Sequence, residues 1–345
     1  MSEANALEAD RFGAAPTPRA NHWLIGHDEV EAAIREAWDA GRLPHALLIG
    51  GPEGIGKATF AYRLARFVLS GGKAPVGTLE IGADHPVSRQ VTALSHPDLL
   101  VLRRVPNDAG KLPTAIPAEV VRRVRSFFGS TAAAGGWRVC VVDTLDEMNA
   151  QGANALLKTL EEPPDNALFL LVSHAPGRLL PTIRSRCRSL TLRALPQDGV
   201  MAALEHLAGH MPDLARERFA EAAEASDGSV REALALLSAD RLAVRRATNE
   251  LLAQLPHVDS RALHGLGDKL QADREGGIES FVAAVENWIS DRATGRVQSP
   301  GVRLARLPEV WEKVRRAAID ADVYNLDRKT FVFRIFASLH EAVKP

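Results

Sequence analysis

Leu47-Leu48-Ile49-Gly50-Gly51-Pro52-Glu53-Gly54-Ile55-Gly56-Lys57-Ala58 is the stretch whose reading decides the fold. Leu47 to Gly50 reads as a short buried strand. The helical pattern over Thr59–Leu69 follows, with Phe60, Leu64 and Phe67 on one face. Between them lies a glycine-rich loop closed by a lysine, the strand–loop–helix context of a phosphate-binding loop. Gly51, Gly54 and Gly56 let successive backbone N–H groups turn inward, and the helix start adds its positive dipole end. Lys57 would neutralise the β- and γ-phosphates. A plain glycine-rich turn with a solvated lysine is the alternative, and the spacing of Gly51, Gly56 and Lys57 favours the phosphate loop. One position departs from the pattern. The hydroxyl that would hold magnesium is replaced by Ala58. Thr59 follows, but one residue along a helix is a turn of about 100°, which aims it elsewhere. ATP or ADP would therefore bind weakly, through backbone and Lys57.

Outward from this loop, short apolar runs alternate with amphipathic segments. Strands are expected at Ala46–Ile49, Leu99–Leu102, Arg138–Val142, Leu168–Val172 and Leu190–Leu192, with helices over Glu29–Ala40, Ala118–Phe128 and Gln151–Leu160. That alternation predicts an α/β domain with a parallel sheet. The run Val139-Cys140-Val141-Val142-Asp143 ends in an acid, where a metal-organising carboxylate belongs. In active ATPases of this kind a glutamate follows and orients water. Here Thr144 follows, and losing a general base costs roughly 10²–10⁴ in rate. Asp146 or Glu147 serving instead is the alternative. Beyond Leu195 the strand signal stops and helical periodicity takes over, through Asp198–Leu207, Ala215–Ala225, Val230–Leu237, Arg241–Leu252, Gly265–Glu275, Gly277–Ala293, Leu304–Ala318 and Asp322–Val343, with a loop at Gly295–Gly301. The expected plan is a flexible leader over 1–20, a P-loop core over 21–194, a small helical lid over 195–253 and a helical collar over 254–345.

Asn154-Ala155-Leu156-Leu157-Lys158-Thr159-Leu160-Glu161-Glu162-Pro163-Pro164 and Pro181-Thr182-Ile183-Arg184-Ser185-Arg186-Cys187 resemble the clamp-loader branch of the AAA+ ATPases. Leu24-Ile25-Gly26-His27, Leu43-Pro44-His45-Ala46 and the order of the motifs fit as well, so the resemblance covers residues 21–237. Active motor subunits of that family keep Lys-Thr/Ser and Asp-Glu. This chain has Lys57-Ala58 and Asp143-Thr144 beside an intact Ser185-Arg186-Cys187. The combination is similar to the non-hydrolysing stator of bacterial clamp loaders. The resemblance implies partners: motor subunits of the gamma/tau kind, a delta-like subunit, the sliding clamp and primed DNA. It implies that Arg186 reaches into a neighbour's ATP site, a task for which an always-charged planar fork suits. Alone, Arg186 reads better as a surface arginine capping a helix; the surrounding motif is what favours the reach into a neighbour's site. The resemblance also puts Ser173 where a first sensor residue would poll the γ-phosphate, against a plain strand end. It puts Arg231, in Asp227-Gly228-Ser229-Val230-Arg231, where a second sensor would reach back to this chain's own nucleotide, against an exposed arginine beside a helix cap. Arg122, Arg123 and Arg125 would face DNA, or form a solvated basic face. A motor subunit rescued by Thr59 or Glu147 is the alternative function. A P-loop phosphotransferase would need an acceptor pocket and a base, and the sequence offers neither.

Composition is ordinary for a folded protein. The 345 residues are 46% hydrophobic and 25% charged, with net charge −1 from 42 basic and 43 acidic residues. No globally basic surface exists, so DNA contact requires a local patch. Cys140 and Cys187 make neither a disulfide framework nor a four-cysteine zinc site, which reads as cytoplasmic. Relatives often carry a zinc module before the His96-Pro97-Asp98-Leu99 strand. Here Gly71–Ser95 holds no cysteine, so no zinc is expected, and His206 and His210 lack a third ligand. No apolar run approaches the ~20 residues of a membrane span.

Overall fold

The computed structural model describes residue 8 and residues 10–107, 111–129, 136–272, 276–293, 306–323 and 327–343. Packing divides the chain into two compact units. One holds residues up to Pro212 together with Gly228–Arg231. The other holds Asp213–Asp227 and the chain from Glu232 onward. The core, lid and collar segments expected from sequence are thus grouped in two by packing.

The first unit is built on five strands: β1 (Ala46–Gly50), β2 (Leu99–Arg103), β3 (Arg138–Asp143), β4 (Ala167–Ser173) and β5 (Arg188–Thr191). All pair in parallel, in the order β2-β3-β4-β1-β5. The three central strands are buried on both faces, which is why they read as unbroken apolar runs. The edge strand β5 is largely exposed and carries Arg188, Ser189 and Thr191.

Side-chain alternation then sorts the helices. Leu47, Ile49, Val139, Val141, Leu168 and Leu170 face one layer, filled by Phe60, Leu64 and Phe67 of α2 (Lys57–Leu69) and Ile34 of α1 (Asp28–Asp39). Leu48, Cys140, Val142, Phe169 and Leu171 face the other, filled by Val121, Val124 and Phe128 of α4 (Ala118–Gly129) and Leu156 and Leu160 of α5 (Ala150–Glu161). A short α3 (Pro86–Thr92), absent from the sequence expectation, lies between α2 and β2 in the chain. The His85 side chain caps it by accepting from the Val87 N–H, and Val91 is buried. Leu79, Ile81 and Val91 join the α2 layer, so the cysteine-free insert is held by apolar burial. The unit is completed by α6 (Pro181–Arg184) and α7 (Gln197–Ala208). Within the span expected to be a leader, Ala15 and Thr17 are buried and Arg19 is tied to Thr92.

The second unit is helical: α8 (Phe219–Ala225), the end of α9 (Val230–Leu236), α10 (Ala239–Ala253), α11 (Ser260–Ala272), α12 (Gly277–Ala293), α13 (Leu307–Val323) and α14 (Arg328–Val343). One apolar core joins α10 to α14, with Leu266, Leu270, Phe281, Val314, Phe336 and Leu339 among its buried members. Two boundaries differ from expectation. α11 begins at Ser260, five residues before Gly265, after Asp259, whose backbone O accepts from the Leu263 N–H. The break expected between Ala318 and Asp322 falls later: α13 runs to Val323, and Asp327 starts α14 by accepting from the Thr330 N–H and hydroxyl. The expected Gly295–Gly301 loop lies outside the described residues.

Candidate nucleotide site and exposed arginine

The register of the sheet assembles one site at the carboxyl ends of its strands, where ligands of open α/β sheets bind. Gly50 lies opposite Ser173, and Arg103 opposite Asp143. Gly51, Gly54 and Gly56 all have positive φ, which glycine adopts without strain. At Gly54 a side chain would also collide, its Cβ falling 2.3 Å from Ser229 Oγ and 2.6 Å from Arg231 Cβ. The Val230 N–H donates to Gly54 O at 3.0 Å, so residues 228–231 sit directly on the loop. His27, buried before α1, bonds Ile55 O at 2.8 Å through Nε2 and fixes the loop from its other side.

Lys57, Ala58 and Thr59 open α2 with Gly56 as N-cap, and the Lys57 ammonium donates to Pro52 O. Burial pulls Lys57 down to about 8, against Glu53, Asp146 and Asp143. Asp143 ends β3 fully enclosed, and burial pushes it up to about 7, with Asp10 and Glu147 adding and Lys57 opposing. Asp143 Oδ2 has no hydrogen-bond partner among the described residues. A buried, unsatisfied carboxylate beside a lysine on a glycine-rich loop suits an anionic ligand carrying its own cation.

The two acids that could have replaced a catalytic glutamate are both engaged. Asp146 accepts from Ser173 Oγ at 2.9 Å, from the His174 N–H at 2.7 Å and from the Ala175 N–H at 3.2 Å. Glu147 is held by Arg104 through two contacts of 2.6 Å. Ser173 is fully buried and donates to Asp146. Arg231 lies at the tip of the loop, 3.4 Å from Glu53, with its guanidinium 4.9 Å from the Phe12 ring centre. The structure therefore gathers Gly51, Gly54, Gly56, Lys57, Ala58, Thr59, Asp143, Ser173 and Arg231 in one place.

Arg186 is elsewhere, in the turn after α6. It donates to Thr182 O at 2.8 Å and pairs with Glu161 at 2.7 Å, one-third exposed, on the rim of an open recess lined by His45, Leu160 and Glu162. Arg122, Arg123 and Arg125 are exposed on α4, opposite its buried Val121, Val124 and Phe128. His206 stacks on Trp23 at 4.5 Å, and among the described residues no His, Cys, Asp or Glu cluster could hold a metal ion. Among those residues, too, no helix is long and apolar enough to cross a membrane. Sequence reasoning missed the pairing of Asp146 with the end of β4, of Glu161 with Arg186, and the contacts of Glu8, Asp10 and Phe12, all of which need the fold.

The buried Asp143 gives a pH signature. Its native pKa lies above the usual value, so the unfolded chain releases that proton first. Asp143 therefore favours the fold below about pH 4, and that contribution is lost as pH rises towards 7. Lys57, lowered, acts with the opposite sign: stability rises with pH between about 8 and 10.5. Denaturant unfolding across this range should show both slopes. Asp143→Asn should flatten the acidic one and Lys57→Met the alkaline one. An Asp143→Asn profile parallel to the parent would contradict this account.

A parallel sheet ordered β2-β3-β4-β1-β5, with a phosphate loop after β1 and an acid ending β3, defines a P-loop core of the AAA+ class. Residues 26–196 match the family model described as DNA polymerase III, delta subunit. The chain is 40% identical to DNA polymerase III subunit delta' of Pseudomonas aeruginosa over 185 residues, 54% of this chain and 53% of that one. It is 34% identical to subunit delta' of Escherichia coli over 218 residues, 63% and 61% of the two chains. To subunit tau of Escherichia coli it is 30% identical over 261 residues, 73% of this chain and 38% of that one. The matches thus span about half to three-fifths of the delta' relatives. Over the part these matches span, centred on residues 26–196, the chain is similar to the DNA polymerase III delta' subunits.

Proposed function

We propose that this chain is a non-hydrolysing stator of a bacterial clamp loader. It takes part in placing a sliding clamp on primed DNA beside gamma/tau-like motors and a delta-like subunit, in the cytoplasm. The observation that carries this reading is the contrast between its two charged sites. In its own site Ala58 and Thr144 stand where a metal ligand and a general base belong, and the nearby acids are committed to Ser173 and Arg104. By contrast, Arg186 lies one-third exposed in a short turn, held by Glu161 and Thr182 O at the surface, where an anion on a neighbouring subunit could exchange with Glu161. A guanidinium brought to a transferring phosphoryl group stabilises the charge that develops there. Arg122, Arg123 and Arg125 would track the DNA backbone without reading sequence, with a salt-dependent affinity. The motor alternative needs Thr59 or Glu147 to act, and the ion pair of Glu147 with Arg104 weighs against it.

The test is hydrolysis by the purified chain. No ATP turnover above that of the Lys57→Ala variant is expected. Turnover typical of a P-loop motor that disappears in Lys57→Ala would overturn the stator reading.

A further inference from the structure

Acidic residues ahead of α1 lie at the carboxyl end of the sheet, on the side of β2. Asp10 Oδ1 meets Arg103 at 2.7 Å, and its other oxygen meets Arg19 at 2.9 Å. Glu8 holds Arg19 at 2.6 Å and reaches Arg103 at 3.5 Å. Arg103 ends β2, in register with Asp143 on β3. Two residues after Asp10, Phe12 lies against the guanidinium of Arg231, which itself rests on the loop at Gly54. The arrangement is enclosed: the Asp10 side chain is 5% exposed, and those of Arg103 and Arg19 are 11% and 12%. The root of the segment is pinned separately. Arg19 O accepts from Arg66 and from Thr92 Oγ1, while Arg19 Nε donates to Thr92 O.

Each cation named around this end thus has a partner inside the chain. Lys57 has Pro52 O, Arg231 has Glu53 and Phe12, Arg103 has Asp10 and Glu8, and Arg104 has Glu147. A carboxylate and a phosphate oxygen compete for the same guanidinium N–H groups. An aromatic face likewise competes for the cation it covers. We propose that Asp10 and Phe12 act as an internal pseudo-ligand of the P-loop groove, so that a nucleoside triphosphate binds only when they are displaced from Arg103 and Arg231. What limits nucleotide affinity is then this displaceable segment as well as the missing hydroxyl at position 58. The inference does not depend on the stator reading.

The test is titration of the full chain with a fluorescent ATP analogue in the presence of a metal chelator. Phe12→Ala should tighten binding about three- to tenfold, in keeping with loss of one cation–π contact. Asp10→Asn with Phe12→Ala should tighten it further, and Lys57→Ala in that background should abolish the gain. Thermal melting identifies any variant that fails to fold. A second measurement needs no variant: hydrogen exchange of the unaltered chain at saturating ATP. Residues 10–14 should lose protection while residues 17–22 keep theirs. Folded variants that bind no tighter than the parent, or protection unchanged at saturation, would overturn the proposal. So would an absence of binding by every variant.

Discussion

Arg186→Ala, in a loader reassembled with its motor and delta-like neighbours, is expected to remove roughly 10³–10⁵ of the hydrolysis rate at the site this arginine serves. Assembly on a sizing column should be unchanged, because the side chain is one-third exposed and its two bonds, to Thr182 O and Glu161, lie at the surface. The expected size follows from where charge appears. A guanidinium that meets only the transferring phosphoryl group lowers the barrier without tightening ground-state binding, so the loss falls on kcat. Glu161 refines the expectation. It holds one end of the guanidinium while Thr182 O holds the other, which limits the rotamers lost when the arginine engages. Glu161→Ala should slow the same step by several-fold at most, since an exposed ion pair is worth about 0–1 kcal/mol. In the Arg186→Ala background it should do nothing more. An unchanged rate in Arg186→Ala would make the arginine structural, and the stator reading would fall with it.

Phe169→Ala should cost the fold about 3–5 kcal/mol. The ring lies on β4, fully buried, between Ala46 of β1 and Cys140 of β3 in register. It packs 4.8 Å from the ring of Phe128 on α4. Removing it loses apolar transfer energy and leaves a cavity that neighbouring strands, pinned by hydrogen bonds on both sides, cannot close. Denaturant unfolding of the intact chain should show the lower midpoint with little change in slope. A loss below about 1 kcal/mol would mean that α4 collapses into the space.

The three central strands and the phosphate loop were legible because their signals are local. A strand buried on both faces has to be apolar throughout, and a glycine-rich turn has to follow it where phosphate would approach. The conflicts at Ala58 and Thr144 were legible for the same reason. What escaped depended on partners distant in sequence. Asp146 could be seen beside the acidic strand, but its commitment to Ser173 exists only because β4 lies next to β3. The seven-residue α3 was too short to show a period, although His85-Pro86 offered a cap and a first-turn proline. The break between α13 and α14 was expected too early, after Ala318, and the cap pair Asp327 and Thr330 marks where the second helix starts.

The chain enters its first compact unit twice, through residues up to Pro212 and again through Gly228–Arg231, and in between it contributes Asp213–Asp227 to the second. During synthesis this imposes an order. A nascent chain that has emerged only as far as Pro212 carries the whole sheet and the glycine loop, yet lacks the backbone donor at Val230 that closes on Gly54. The first unit therefore cannot be completed before Gly228–Arg231 has left the ribosome. Residues 1–212 expressed alone would lack that closure, and a fragment able to make it must run at least to Val230.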